Sequence, residues 1–389
     1  MCLRHPERPY TLLRTMSSTM SNTIQPQHAV PTARTDKLLT IEAARGIAAL
    51  LVAFFHGSHV VELAQPGRGA PFGGFFAFGH AGVPFFFVLS GYIIHYIHHA
   101  DLGRPGRLGS FAWKRATRIY PLYLIVMVLI TAKTWFAGNF EWVYWLKSVL
   151  LLPQTQLPML IQSWTLVHEV LFYALFGLAI WRVRVSRWVL LAWAIVFCTA
   201  RVVDLHLLAG LFGDTVRTLA SPYNLLFLLG MGVAWVLRHR TVPFPRLLAL
   251  AGGLAFLATG LVEDTGIYKS MAEHGLLPVL LYGVSSACII LGLVAAETAG
   301  NLRVGRIAGL LGALSYPLYL THGIAISIAV DAARKFHYAG SGALLLTGAV
   351  AVACAAALVV HRCVEKPVAT WLRNVWARRG AAPAFTSFT

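Results

Sequence analysis

The chain has 389 residues, of which 57% are hydrophobic and only 12% are charged. An ordinary soluble domain has about 25% charged residues, so this composition excludes a water-soluble globular protein. The formal net charge is +17, a value that would also suit a nucleic-acid-binding protein. The positions of the basic residues, however, follow the pattern of a membrane protein.

Apolar segments of about 20 residues, the length at which a helix crosses a bilayer, recur along the chain. We therefore predict an all-α fold: a polytopic transmembrane bundle of about ten helices. The predicted spans lie near residues 40–62, 75–97, 118–137, 162–181, 187–204, 222–237, 246–262, 276–296, 307–328 and 342–361.

The basic residues concentrate on one side of these predicted spans. When successive spans alternate in direction, 24 of the 32 Lys and Arg residues fall on the side of the N-terminus. The positive-inside rule makes that side cytoplasmic, and an even number of spans places both termini there. The charge is thus a topology signal, and we expect no nucleic-acid partner.

Three regions follow from the pattern. Residues 1–36 are polar and rich in Ser, Thr and Pro, so they are predicted to form a disordered tail without a signal peptide. Residues 37–367 form the predicted transmembrane domain, and residues 368–389 a basic cytoplasmic tail. The five cysteines show no Cys-x-x-Cys spacing, so neither a disulfide framework nor a zinc site is expected. The outer loop with Glu263, Asp264, Glu273 and His274 could contact a polar acceptor, but it is interpreted as a solvated loop.

His56 lies in the middle of the first predicted span, where an ionisable side chain is costly unless it has a partner or a task. Arg45 precedes it by eleven residues, which is close to three helical turns. The two side chains therefore share one face of the helix. A rise of 1.5 Å per residue places His56 about 16 Å from the cytosolic edge.

Glu169 enters the membrane from the opposite side, in the fourth predicted span. It lies roughly 10 Å below the outer surface and His56 roughly 14 Å below it, so the two can meet in one layer. An imidazole beside a carboxylate has the chemistry of a general base. That pair would suit acyl transfer to an alcohol, and it would equally suit proton-coupled transport with His322 as a third member. On the pattern alone, His322 is interpreted as a structural histidine.

Arg115 and Arg118 are three residues apart at the cytosolic start of the third predicted span, so they share a helix face. Two guanidinium groups there could hold phosphates bidentately, or they could anchor the span to lipid headgroups. His95, His98 and His99 also have a spacing that metal ligands use. Because they lie at the cytosolic interface, we interpret them as solvated histidines and expect no metal site.

Six segments, in chain order, resemble the signature segments of the membrane acyltransferase-three family. The resemblance spans residues 38–367. The segments are residues 42–56, 79–92, 115–123, 164–173, 315–322 and 365–367.

The resemblance implies an integral membrane O-acyltransferase of the bacterial inner membrane. Such enzymes move an acyl group, usually acetyl, from acetyl-CoA or another cytosolic acyl-CoA to an envelope glycan or glycolipid, with membrane lipids as their surroundings. It assigns catalytic roles to His56 and Glu169, and binding of the donor to Arg45, Arg115 and Arg118. His56, oriented by Glu169, would either deprotonate the acceptor hydroxyl or accept the acyl group itself and pass it on.

The chain departs from the family pattern at three positions. Glu42 and Thr165 stand where the family often has Asp and Ser, and both keep the functional group. Pro84 stands where it often has Asp, so an acid is lost. Two alternatives to an enzyme stay open on the sequence: a transporter or flippase with a proton relay, and a membrane sensor or assembly partner with an inactive site.

Overall fold

The computed structural model of this chain describes residues 38–200, 210–263, 275–300, 302, 305 and 307–378. The predicted N-terminal tail lies outside the described residues, as do residues 264–274 and 379–389. All regular structure in the described ranges is helical, which confirms the predicted all-α class.

The helices follow one another in the order of the predicted spans. They are α1 (Leu39–Ala64), α2 (Gly82–His98), α3 (Leu108–Phe136), α4 (Trp142–Val149), α5 (Trp164–Trp181), α6 (Val183–Thr199), α7 (Gly210–Leu219), α8 (Tyr223–His239), α9 (Pro245–Glu263), α10 (Leu276–Thr298), α11 (Ile307–Lys335), α12 (Gly342–Val360) and α13 (Lys366–Arg378).

Eight helical segments of the described chain are long and apolar enough to cross a membrane. A ninth span results if the pair Phe212–Leu219 and Tyr223–His239, bent by 46°, is one broken span. The fifth predicted span, 187–204, corresponds to α6, which has 17 residues and is followed by residues outside the described ranges. The protein is a polytopic helical bundle, as the apolar pattern predicts.

The main helix pairs include two that are distant in sequence and one pair of successive helices. α1 lies along α11, α2 along α8, and α9 along α10. Glycines allow the α2–α8 crossing: a Cβ atom added to Gly230 would overlap the carbonyl of Val88, and one added to Gly91 would overlap the carbonyl of Phe227. Small residues at such crossings let helix backbones approach closely.

The chain continues past its last span without a break in helical structure. A π-helical turn, His361–Glu365, joins α12 to α13, and α13 runs across the predicted boundary between residues 367 and 368. Trp376 of α13 stacks on Trp113 of α3, with ring centroids 5.0 Å apart. The first part of the predicted C-terminal tail is therefore a helix docked on the bundle.

Pro84, the departure from the family pattern, lies buried in the first turn of α2. The amide groups of a helix's first turn have no partner within the helix. A proline, which has no backbone N–H, is therefore tolerated there and costs the helix no hydrogen bond.

Candidate active site

A cavity of about 540 Å³ lies among α1, α2, α3, α5, α11 and α13. Its lining includes four of the five predicted site residues, Arg45, Arg115, Arg118 and Glu169. His56 is not among the described residues that line it. The structure thus gathers the predicted donor-binding arginines into one chamber and places the histidine outside it.

The three arginines differ in how well they are paired. Arg45 donates to Glu42, with Nη1 3.3 Å from Oε1. Nη1 of Arg118 lies 3.8 Å from Oε1 of Glu365, a long contact. Arg115 has no hydrogen bond or ion pair with any described residue, and its Nε atom is buried without a partner.

Arg115 is half-buried, and a buried polar atom without a partner is costly; its guanidinium therefore offers free N–H donors to the chamber. Arg115 is held by the ring of Tyr173, whose centroid lies 5.7 Å from the guanidinium carbon. The ring of Tyr316 lies 5.3 Å from the guanidinium carbon of Arg118 in the same way. These cation–π contacts fix the two guanidinium groups while leaving most of their N–H donors available.

Glu169 is half-buried at the cavity wall. Its Oε1 accepts a hydrogen bond from Oγ of Ser90 at 3.2 Å and another from the hydroxyl of Tyr173. The neighbouring His168 points elsewhere, with Nδ1 3.1 Å from Oδ1 of Asn224. Glu169 therefore belongs to the cavity that Arg45, Arg115 and Arg118 line, called here the arginine chamber.

His56 instead meets His322. Nδ1 of His56 lies 3.2 Å from Nε2 of His322 and 3.0 Å from the carbonyl oxygen of Val52. His322 is fully buried, and its Nδ1 lies 3.0 Å from the carbonyl oxygen of Leu318.

These contacts determine which nitrogens carry hydrogen. A carbonyl oxygen only accepts, so Nδ1 of His322 must donate to Leu318, and Nε2 of the neutral ring is then an acceptor. Both neighbours of the His56 Nδ1 are consequently acceptors, and this nitrogen carries the hydrogen. The lone pair of neutral His56 is therefore on Nε2, the nitrogen that acts as a base.

The structure does not bring Glu169 to His56. In the described chain no hydrogen bond or ion pair joins them, and each has other partners. Two side chains at equal depth in the membrane can point in different directions around their helix axes, and Glu169 and His56 do so. His322, and not Glu169, contacts the imidazole of His56.

The profile of a protein family described as "Acyltransferase domain" matches residues 38–362. The chain belongs to the membrane acyltransferase-three family. It is also 31% identical over 328 residues to the "Exopolysaccharide production protein ExoZ" of Rhizobium meliloti (strain 1021), an alignment that covers 79% of this chain and 94% of the relative. No solved structure matches the chain.

In this membrane acyltransferase, Tyr319 lines the arginine chamber and its ring centroid lies 6.1 Å from that of His322. Its hydroxyl lies 2.8 Å from Oγ1 of Thr165 and donates to the carbonyl of Gln162 at 3.1 Å. Tyr319 lines the cavity and precedes His322 by three residues, so the chamber ends about one helical turn, ~5 Å along α11, from the imidazole.

Sequence reasoning missed the part that His322 plays in this acyltransferase, and it missed Glu365 as an ion-pair partner of Arg118. Both lie in segments that resemble the family's motifs, and the sequence already indicates His322 as a third member of a proton relay with His56 and Glu169. Those two signals together would have identified the histidine pair. Across the described ranges, no group of three or more His, Cys, Asp or Glu side chains is arranged to hold a metal ion; His98 instead contacts Asp101 at 2.8 Å.

Proposed function

We propose that this acyltransferase transfers an acyl group, in the first place acetyl, from a cytosolic acyl-CoA to a hydroxyl group of an exopolysaccharide or another envelope glycan or glycolipid. We further propose that it lies in the bacterial inner membrane with both termini in the cytoplasm. The family membership and the relative named for exopolysaccharide production support this proposal.

The observation that carries the donor assignment is Arg115 in the arginine chamber, whose guanidinium has no hydrogen bond or ion pair with the described residues and whose Nε is buried. The nucleotide part of acyl-CoA bears several phosphate groups, and guanidinium forks bind phosphate oxygens bidentately. Arg115 and Arg118 hold these phosphates in our proposal. The thin pantetheine arm then extends along the chamber toward Tyr319 and the histidine pair.

His56 is the general base of the proposed reaction. Its Nε2 takes the proton of an acceptor hydroxyl while the hydroxyl oxygen attacks the thioester carbonyl carbon. The carbon–sulfur bond then breaks, and the proton passes from His56 to the departing CoA sulfur. The products are the O-acyl glycan and free CoA, and His56 returns to its neutral state.

His322 and Glu169 have separate roles in this scheme. His322 accepts the Nδ1–H hydrogen of His56, so it fixes the tautomer and stabilises the imidazolium that forms, as the third group of a catalytic triad does. Glu169, which lines the same cavity as the three arginines, balances the positive charge of the chamber and accepts a hydrogen bond from Tyr173, whose ring contacts Arg115.

The test compares wild type with His56→Ala in membrane vesicles at equal protein abundance. Vesicles opened with mild detergent, so that both membrane faces are accessible, receive acetyl-CoA labelled in the acetyl group and a host exopolysaccharide whose esters have been removed with mild alkali; sealed vesicles serve for the transport measurement. We expect alkali-labile label on the polysaccharide with wild type only. Mass spectrometry of the product identifies the acyl group.

Two results would contradict the proposal. Label transfer that persists in His56→Ala would remove this histidine from the essential chemistry. Acetyl-CoA that stays intact with wild type, together with polysaccharide or its lipid-linked precursor crossing the vesicle membrane, would favour a transporter in which His56 and His322 relay protons.

A further inference from the structure

A second cluster of polar side chains lies farther along α1 than His56, on the side away from Arg45. It is at the helix ends that face away from the arginine chamber. α1 runs from Arg45 through His56 to His59, and α9 runs from Arg246 to Glu263. The group, called here the outer cluster, consists of residues from α1, α9, α10 and the 3₁₀ helix Ala77–Ala81. Its members are His59, His80, Glu263 and Tyr282.

Glu263 is the centre of the outer cluster. The sequence places this residue at the start of a solvated loop, but the structure buries it at the end of α9, with a side chain only 5% exposed. Its Oε2 accepts a hydrogen bond from the hydroxyl of Tyr282 at 2.8 Å and lies 3.4 Å from Nε2 of His80. Tyr282 is fully buried, whereas the His80 side chain is 24% exposed.

The outer cluster is adjacent to the proposed base. The ring of Phe55 makes edge contacts with three imidazoles, with centroid distances of 5.0 Å to His56, 4.8 Å to His59 and 5.2 Å to His80. His59 is exposed and His56 is partly exposed. A molecule that reaches His80 is therefore separated from His56 by a single aromatic ring.

Exposed aromatic rings flank the same place. Phe75 is 58% exposed and Phe72 48% exposed, and Phe75 contacts Phe78 edge-on at 5.6 Å. Phe78 in turn packs against Gly260 of α9, where an added Cβ would come within 2.6 Å of it. The ring faces of phenylalanine are flat, apolar surfaces with negative electrostatic potential, which suit the C–H face of a pyranose ring.

We infer that the outer cluster, with Phe75, is the binding site for the acceptor sugar, which it holds with a hydroxyl group against His56. The inference rests on the function proposed above and adds the place and chemistry of acceptor recognition. A sugar hydroxyl both donates and accepts hydrogen bonds, and a carboxylate beside an imidazole offers both partners. A buried carboxylate is costly, and recognition of a polar substrate is a reason to keep it.

This arrangement assigns opposite ends of the bundle to the two substrates. The anionic donor enters the arginine chamber, and the sugar binds the outer cluster. The thioester and the hydroxyl meet at Nε2 of His56, between Tyr319 and Phe55.

The test measures the KM of each substrate separately in the vesicle assay. The variants are His80→Gln, Glu263→Gln and Phe75→Ala. We expect each to raise the KM for alkali-treated polysaccharide about tenfold, the loss typical of one hydrogen bond to a charged group or one aromatic contact. The KM for acetyl-CoA should stay within about twofold of wild type, because the donor binds elsewhere.

Phe136→Ala is the matched control, since Phe136 is 88% exposed at the end of α3 and should leave both KM values unchanged. Wild-type transfer with unchanged polysaccharide KM in His80→Gln and Phe75→Ala would overturn the inference and leave the proposed function intact. A parallel rise in both KM values would instead show a structural role. Absence of transfer by wild type would refute the proposed function itself. If Glu263→Gln does not accumulate, the other two variants decide.

Discussion

Nε2 of His322 lies 3.2 Å from Nδ1 of His56, although 266 residues separate them in the chain. The contact exists because α1 and α11 pack along each other. Each imidazole is also fixed by the carbonyl four residues earlier in its own helix. The pair is therefore a rigid unit in which one ring sets the tautomer of the other.

The first prediction concerns this pair. Replacing His322 with Ala removes the acceptor for the Nδ1–H of His56 and the group that stabilises its charged form. We expect kcat to fall about 100-fold or more, the lower range for loss of acid–base assistance, with the KM for acyl-CoA unchanged. The measurement is steady-state transfer in vesicles.

His239→Ala is the control for this prediction, because His239 is exposed at the end of α8 and should retain full activity. A normal kcat in His322→Ala would show that His56 needs no partner and would return His322 to a structural role.

The second prediction concerns Arg115. Arg115→Ala should raise the KM for acetyl-CoA about tenfold or more, because a charged hydrogen bond to phosphate is lost. Acetyl-pantetheine carries the same thioester without phosphates, so its KM should not change in this variant. Arg187→Ala, which alters an exposed arginine of α6, should affect neither donor. Equal losses with both donors would contradict phosphate binding by Arg115.

The third prediction concerns Glu365, which lies 3.8 Å from Arg118 and 2.7 Å from Nδ1 of His361. Its carboxylate competes with an incoming phosphate for the Arg118 guanidinium. Glu365→Gln removes that competing charge, so we expect the KM for acetyl-CoA to fall severalfold at low salt. The difference should shrink as ionic strength rises, because the pair is partly exposed and salt screens it. A higher KM would mean that Glu365 holds Arg118 in place for the donor.

The fourth prediction concerns the α2–α8 crossing. Gly230→Ala places a methyl group on the carbonyl of Val88, which belongs to a rigid backbone. Overpacking of this kind costs about 1–3 kcal/mol, so we expect a lower melting temperature and less protein in the membrane.

Gly232→Ala is the matched control on the same helix, because an added Cβ there meets no atom within 4 Å. It should leave the melting temperature unchanged or raise it. Equal effects of the two substitutions would show that α2 and α8 are not in close contact in the membrane.

The sequence by itself determined the class of the protein and much of its chemistry. A high apolar fraction in segments of about 20 residues leaves the helical bundle as the stable solution, because backbone groups in lipid must be satisfied within each segment. Local spacing was enough to place Arg115 and Arg118 on one face, and both line the chamber with Arg45 and Glu169. The mid-span position of His56 marked it as a functional candidate.

Only the tertiary structure decided which groups meet. Depth along each helix follows from the rise per residue, but the direction of a side chain toward one neighbour or another depends on how helices distant in sequence pack. For that reason Glu169 and His56, predicted in one layer, have different partners, and His322 takes the place beside the imidazole. The burial of Glu263 has the same cause: the end of α9 is covered by α10 and by a short helix that precedes α2, and no local pattern records that contact.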